Sequence, residues 1–250
     1  MQSTVAIVAT IVFALAPTPG RTADHGLDYA EPIGPFLNHV FPSEAPGPAG
    51  NWVVKRVFPN LNVDLPTFAG PYPGTNKLLF VEKDGRILMF ENTPNVSQGD
   101  VFLDIRSRTY SNSDSGMTYF AFHPEFGEPG SPNRGYVYVT YKYSPNGDSG
   151  DLSYWRLSRF NVPDGQLAAD PDSEQILIQQ FDRQQWHDSG CLMFGPDGFL
   201  YIGIGDEGGA NDQYNDSQKI NDRLFSGILR IDVDKNPARS HPIRRQPQRH

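Results

Sequence analysis

The sequence predicts an all-β fold, a β-propeller of which about three blades fit within the chain, and three observations carry that expectation. Glycine (24) and proline (22) are abundant beside 16 Phe and 11 Tyr, a composition suited to short strands joined by turns. Strand-like segments recur with a period of about sixty residues, somewhat longer than a compact blade of about forty to fifty. The densest segment, Trp186–Asp206, packs a histidine, an Asp-Gly turn, a short apolar strand and a Gly-Asp exit into one stretch.

Taken in chain order, the elements begin with an apolar run, Val5–Ala16, which is too short to span a bilayer. Pro17, Pro19 and Gly20 follow it, and Ala14-Leu15-Ala16 has the small-x-small pattern of a cleavage region. Residues 1–23 therefore read as a signal peptide, although Met1–Thr4 carries no Lys or Arg; a buried strand or an anchor is the alternative. Nothing later is apolar enough for a membrane span, so a secreted or periplasmic mature chain is expected. Residues 24–50 are rich in Pro and Gly, show no period, and read as a lead-in.

Residues 51–237 hold the propeller pattern. Val53–Phe58 alternates as a strand does. Lys77–Phe90 is a hairpin turning at Lys83-Asp84-Gly85, where Asp-Gly supplies the positive φ of a tight turn. Tyr136–Tyr143 alternates small and aromatic residues, and Leu152–Val162 is its partner. Phe199–Ile204 is a further strand, paired later with Gly227–Val233. Equivalent strands thus start near residues 78, 136 and 199. A sandwich with irregular loops fits the same strand signals. A closed propeller needs at least about four blades, so the chain is expected to stop partway through its fold. Residues 238–250 form a basic, Pro-interrupted tail, read as a truncated connection between blades or as an anion-binding extension.

Composition excludes several functions. A net charge of −8 with 20% charged residues gives no basic surface for nucleic acid or an anionic membrane. The single cysteine, Cys191, excludes a disulfide framework and a cysteine-based metal knuckle.

The chemistry-bearing candidates cluster near residue 190. Histidine titrates near neutral pH and can take a proton from a hydroxyl. His187 opens one arm of a hairpin that turns at Pro196-Asp197-Gly198, and Asp206 closes the other, so both ends reach one sheet edge. The carboxylate could then orient the imidazole. The alternative is a loop histidine, with Asp206 capping the turn around Gly205, Gly208 and Gly209. Cys191 is no partner for His187, because four extended residues span about 13 Å; it reads as a small buried residue. Asp206–Asp216 offers oxygen ligands for Ca²⁺ without EF-hand spacing, or else forms a solvated turn. His123 and His241 read as structural, and Asn95-Val96-Ser97 and Asn215-Asp216-Ser217 match glycosylation acceptors.

His187–Asp206 followed by Gly227–Asp234, together with Gly116–Phe126 (GMTYFAFHPEF) and Gly135–Val139 (GYVYV), resembles the glucose/sorbosone dehydrogenase family of soluble quinoproteins. With the hairpin at residues 77–90, the likeness covers residues 50–237 in family order. The resemblance implies a six-bladed propeller holding pyrroloquinoline quinone and Ca²⁺, which oxidises aldose sugars and passes electrons to an external acceptor such as a quinone or cytochrome. It further implies that His187 is the general base, that Asp206 orients it, and that Asp114 and Asn211 contact the cofactor. The chain departs from the family at Trp186, where a polar contact is usual, at Cys191, where arginine is common, and at Gly116–Tyr119, which replaces GLLG. The family's later cofactor arginines, its lysine and its Ca²⁺-binding carbonyls lie in blades beyond those present. Other functions consistent with the scaffold are a catalytically silent binding propeller, as in hedgehog-interacting-protein-like relatives, and a Ca²⁺-dependent lactonase.

Overall fold

Aromatic and β-branched residues spaced by two favour strands that bury one or both faces, and strand dominates the structure. The computed structural model describes residues 54–149, 152–188, 190–217, 219 and 223–234, where the only helical elements are two single turns of 3-10 helix. The expected signal peptide, lead-in and basic tail lie outside the described residues. None of the described helices is long and apolar enough to cross a membrane.

Three antiparallel sheets follow one another along the chain. The first runs β1 (Pro66–Pro71), β2 (Lys77–Glu82), β3 (Arg86–Glu91) and β4 (Asp100–Asp104), in that spatial order. The second is β5 (Met117–Phe122), β6 (Tyr136–Tyr143), β7 (Tyr154–Asn161) and β8 (Asp170–Phe181), again a simple meander. The third has β9 (Leu192–Phe194), β10 (Leu200–Ile204) and β11 (Gly227–Ile231) among the described residues. The repeat legible in the sequence is the second strand of each sheet, since β2, β6 and β10 begin at residues 77, 136 and 200.

Local sequence explains the pairing. β2 and β3 meet from Lys77↔Glu91 to Glu82↔Arg86 around a loop in which Gly85, at φ 109°, donates its N–H to the Glu82 carbonyl at 3.1 Å. Of the Asp-Gly pair only Gly85 takes the positive φ that the sequence assigned to the turn. β9 and β10 turn through Pro196-Asp197-Gly198, where Gly198 has φ 79° and Asp197 is held by Arg230 at 2.8 Å.

The sheets stack through two apolar layers, and the middle sheet is buried on both faces. Along β6, Val137, Val139 and Tyr141 point to the first sheet, where they join Leu79, Val81, Ile87 and Phe102. Tyr138 points the other way, with Trp155 and Leu157 of β7, against Leu192, Leu200 and Ile202 of the third sheet. Each such side chain contributes about 1.5–3 kcal/mol by leaving water. Thr140 and Lys142 share the register of Tyr138, so a lysine enters the interior on the face toward the third sheet.

One expected strand is absent. Residues 54–58 of the Val53–Phe58 segment form no strand, with Val54 and Val57 exposed and Phe58 edge-on to Phe90 at 5.3 Å. Alternation alone does not make a strand where no neighbour takes up its backbone hydrogen bonds.

Candidate active site

Two connections deliver the polar residues to one edge of the sheets. His187 sits at φ 59° in the bend between β8 and β9, and Asp206 lies just past the end of β10. Pairing of Leu192 with Ile202 continues outward as Gly203 donates its N–H to the Cys191 carbonyl at 3.0 Å. The two arms therefore stay close up to the site. Glycine is required where they touch: a Cβ on Gly205 would lie 1.7 Å from the His187 carbonyl oxygen.

There the structure brings His187, Asp206 and Asp114 together. His187 Nδ1 is 2.6 Å from Asp206 Oδ1, which also accepts the Gly208 N–H at 3.1 Å. A carboxylate accepts, so Nδ1 carries the proton in this contact, and Nε2 is the ring nitrogen not engaged by Asp206. The His187 backbone N–H donates to Asp114 Oδ2 at 3.0 Å, while the Asp114 N–H donates to the Gln185 carbonyl at 3.3 Å. The imidazole is about half exposed. Its hydrogen bond to Asp206 holds the His187 pKa above the ordinary histidine value, helped by the charge of Asp206 and less by Asp114 and Asp188. The same bond holds Asp206 below the usual carboxylate range.

Beside the pair lies a cavity of about 630 Å³ lined by Thr67, Asp114, Thr118, Tyr119, Cys191, Ile204 and the bare backbone at Gly190, Gly203 and Gly205. Tyr119 is stacked on Phe68 with ring centroids 3.6 Å apart, which fixes one wall. Cys191 is exposed on that wall, not buried as its sequence context suggested. The reason is strand alternation: Leu192 takes the inward position, so its predecessor faces outward.

Asn211, by contrast, is not part of this wall. It is exposed at φ 57° in the loop after Asp206. That loop is not a solvated turn throughout. Glu207 and Asp216 are buried, and Glu207 is paired with Arg183 at 2.7 Å and Arg223 at 3.0 Å. Burial pushes the Glu207 carboxyl up. Among the described residues no group of three or more His, Cys, Asp or Glu is arranged to hold a metal ion. His123 is buried, accepting the Glu125 N–H at Nδ1 (3.1 Å) with Nε2 3.0 Å from Asp234, which makes it a structural tie; His241 lies outside the described residues.

Sequence reasoning missed a second layer directly beneath the site. Lys142 Nζ lies 2.8 Å from Asp182 and 3.0 Å from Asp188, with all three side chains essentially removed from solvent. It also donates to the Gln184 carbonyl, and Ser115 Oγ donates to Asp188 Oδ2. Burial and the neighbouring Asp188 charge push Asp182 up to about 7. The available signal was a lysine at an inward position of β6, in register with Tyr138 and Thr140.

Comparisons place this geometry among known proteins. The family model Glucose / Sorbosone dehydrogenase matches residues 66–250. The HIPL1 protein of Arabidopsis thaliana is 27% identical over 206 residues, covering 68% of this chain and 29% of its own length. The Hedgehog-interacting proteins of Mus musculus and Homo sapiens are each 28% identical over 177 residues, covering 64% of this chain and 23% of their length. The chain thus spans less than a third of these curated relatives. A solved glucose dehydrogenase superposes with a TM-score of 0.51 at 18% identity, over 70% of this chain and 49% of its own. A second solved glucose dehydrogenase gives 0.51 at 16% identity, over 72% and 47%. These likenesses show the fold: the stacked meanders are a β-propeller.

Proposed function

The chain belongs to the glucose/sorbosone dehydrogenase family, and on that premise we propose that it is an oxidoreductase acting on the anomeric carbon of aldose sugars or related alcohols. The observation that carries this reading is the 2.6 Å contact between His187 Nδ1 and Asp206, made where His187 also meets Asp114 and Gly205, two residues of the cavity wall. Neutral His187 takes the substrate hydroxyl proton at Nε2 as the C–H bond on the same carbon breaks. Asp206 keeps the ring in the right tautomer and stabilises the imidazolium that forms, while Asp114 fixes the His187 backbone through its N–H. Bound pyrroloquinoline quinone would supply the hydride acceptor, a role no side chain can fill.

In this reading Gly190, Gly203 and Gly205, which put no side chain on the cavity wall, and the neighbouring Thr67, Thr118 and Tyr119 would hold the cofactor's ring. The lining residues include no Lys or Arg for the cofactor's carboxylates, and no described cluster takes the accompanying Ca²⁺. In this reading the cations and the Ca²⁺ ligands come from further blades of a six-bladed ring. The protein works outside the cytoplasm and hands its electrons to an external quinone or cytochrome.

A second reading is a binding propeller without catalysis, favoured by the Hedgehog-interacting relatives and by a cavity wall that holds no Lys or Arg among the described residues. Loading the full-length protein, further blades included, with pyrroloquinoline quinone and Ca²⁺ and following dye reduction with aldoses separates the two. Catalysis predicts aldose-dependent reduction that falls by about 10²–10⁴-fold in His187→Ala. No reduction by the loaded wild type overturns the oxidoreductase reading.

A further inference from the structure

The site pair and the buried cluster beneath it use consecutive residues of the same two loops. His187 and Asp114 meet at the surface, with the His187 N–H 3.0 Å from the Asp114 carboxylate. One residue further along each loop, Asp188 and Ser115 meet in the interior, where Ser115 Oγ donates to Asp188 Oδ2. Asp188 Oδ2 is also 3.0 Å from Lys142 Nζ. The lysine therefore holds the 182–188 segment directly, through Asp188 and the Gln184 carbonyl, and the 114–115 segment through the Asp188 carboxylate that Ser115 donates to. Lys142 itself stands on β6, a strand buried along most of its length.

We infer that Lys142 is a positioning residue: its buried ammonium, anchored on β6, clamps the 182–188 segment and the 114–115 segment so that His187 stays in register with Asp206. The inference rests on His187 being the working base of the proposed reaction. An ion cluster that merely filled the interior would need no contact with the neighbours of both surface residues. This one touches Asp188 beside His187, and Ser115 beside Asp114 through that carboxylate. The charged groups facing Lys142 are Asp182 and Asp188; those facing His187 are Asp206, Asp114 and Asp188.

The test separates positioning from simple electrostatics by sign. Removing a nearby cation, with nothing else changed, makes the imidazolium easier to form and raises the His187 pKa. Loss of the clamp instead frees the imidazole from Asp206 and lowers it toward the ordinary value of about 6.5. The measurement is an NMR titration of histidine-labelled protein, with His187 assigned from His187→Ala. Lys142→Met should lower the His187 midpoint and abolish the downfield Nδ1–H signal of the carboxylate-bound ring, while Lys142→Arg retains both. If Lys142→Met does not fold, the Lys142→Met/Asp182→Asn double variant removes one charge of each sign and is titrated in its place. An unchanged or raised midpoint in the folded variant overturns the inference. In the quinone-loaded protein kcat should fall on the order of 10²-fold with KM changing less. An inert wild type would sink the oxidoreductase reading while leaving the titration result to stand.

Discussion

Gly205→Ala tests the site through its backbone, leaving every polar group in place. The added Cβ would sit 1.7 Å from the His187 carbonyl oxygen, whereas real Cβ atoms essentially never come within 3.0 Å. The two arms must therefore part by more than 1 Å at the residues that carry the pair. A 2.6 Å hydrogen bond cannot absorb that displacement and remain strong. Overpacking of this kind costs about 1–3 kcal/mol, which for a domain of this size lowers Tm by about 2–12 °C. Misplacement of a base by this distance lowers turnover on the order of 10²-fold. Calorimetry, dye-linked turnover and NMR titration of His187 read the three consequences. Gly203→Ala is the control for Tm and the His187 midpoint, since its Cβ would meet only Cys191 Sγ at 3.4 Å and Cys191 N at 3.7 Å, both ordinary contacts; its turnover is left out of the comparison because Gly203 lines the cavity. A Gly205→Ala protein with wild-type Tm, turnover and His187 midpoint would refute the claim that backbone approach sets the pair.

The remaining predictions concern titration, packing and access. His187 must be neutral to act as a base, and its pKa is held up by Asp206; turnover should therefore fall as pH drops through a midpoint above the ordinary value of about 6.5. Asp206→Asn should move that acid limb of the kcat/KM profile downward, and an unmoved limb would remove Asp206 from the mechanism. The stability owed to the pair has the same logic with both signs. The raised histidine contributes below about 6.5 and loses its contribution as pH rises through its folded value. The lowered carboxylate contributes above about 3.9 and loses its contribution on acidification. Leu157→Ala, fully buried between the second and third sheets, should cost about 2–5 kcal/mol in denaturant unfolding; a cost near zero would mean that the third sheet is not packed there. Cys191 should react with a small aromatic disulfide reagent in the native protein at the rate of an accessible thiol, and no reaction before unfolding would contradict its place on the cavity wall.

How much was legible beforehand follows from where each strand lies. β2, β3, β6, β7, β10 and β11 were readable because they alternate against a buried layer or flank an Asp-Gly turn. β1 carries prolines at both ends and a glycine, so its sequence looks like loop although it pairs with β2 from Phe68↔Val81 to Pro71↔Leu78. β8 has no buried residue along Asp170–Phe181, so no hydrophobic period marks it. Burial, the source of the signal, is what an outer strand lacks. The His187–Asp206 contact was readable because a hairpin returns its two ends to one place. Lys142 was not, because Asp188 is 46 residues away and Ser115 lies 73 residues from Asp188. No local pattern reports a contact that only the stacking of two sheets creates.

The buried cluster also bears on the choice between a catalyst and a silent scaffold. Taking an ammonium and two carboxylates out of water is costly, and such groups are often replaced by apolar ones with no loss of stability. Two carboxylates facing one lysine make the arrangement worse than a matched pair, and burial first, then the Asp188 charge, pushes Asp182 up to about 7. For a propeller that only presents a surface, Tyr138, Trp155 and Leu157 already supply an apolar seam to the third sheet, and a methionine at 142 would extend it. The cluster gains a rationale when two loops must be held to within a fraction of an ångström, as proton transfer at His187 requires. The two accounts diverge on one variant. A silent scaffold should tolerate, or be stabilised by, replacement of Lys142, Asp182 and Asp188 together by Met, Leu and Leu, with its binding intact. A working dehydrogenase should fold with the same replacements yet lose turnover.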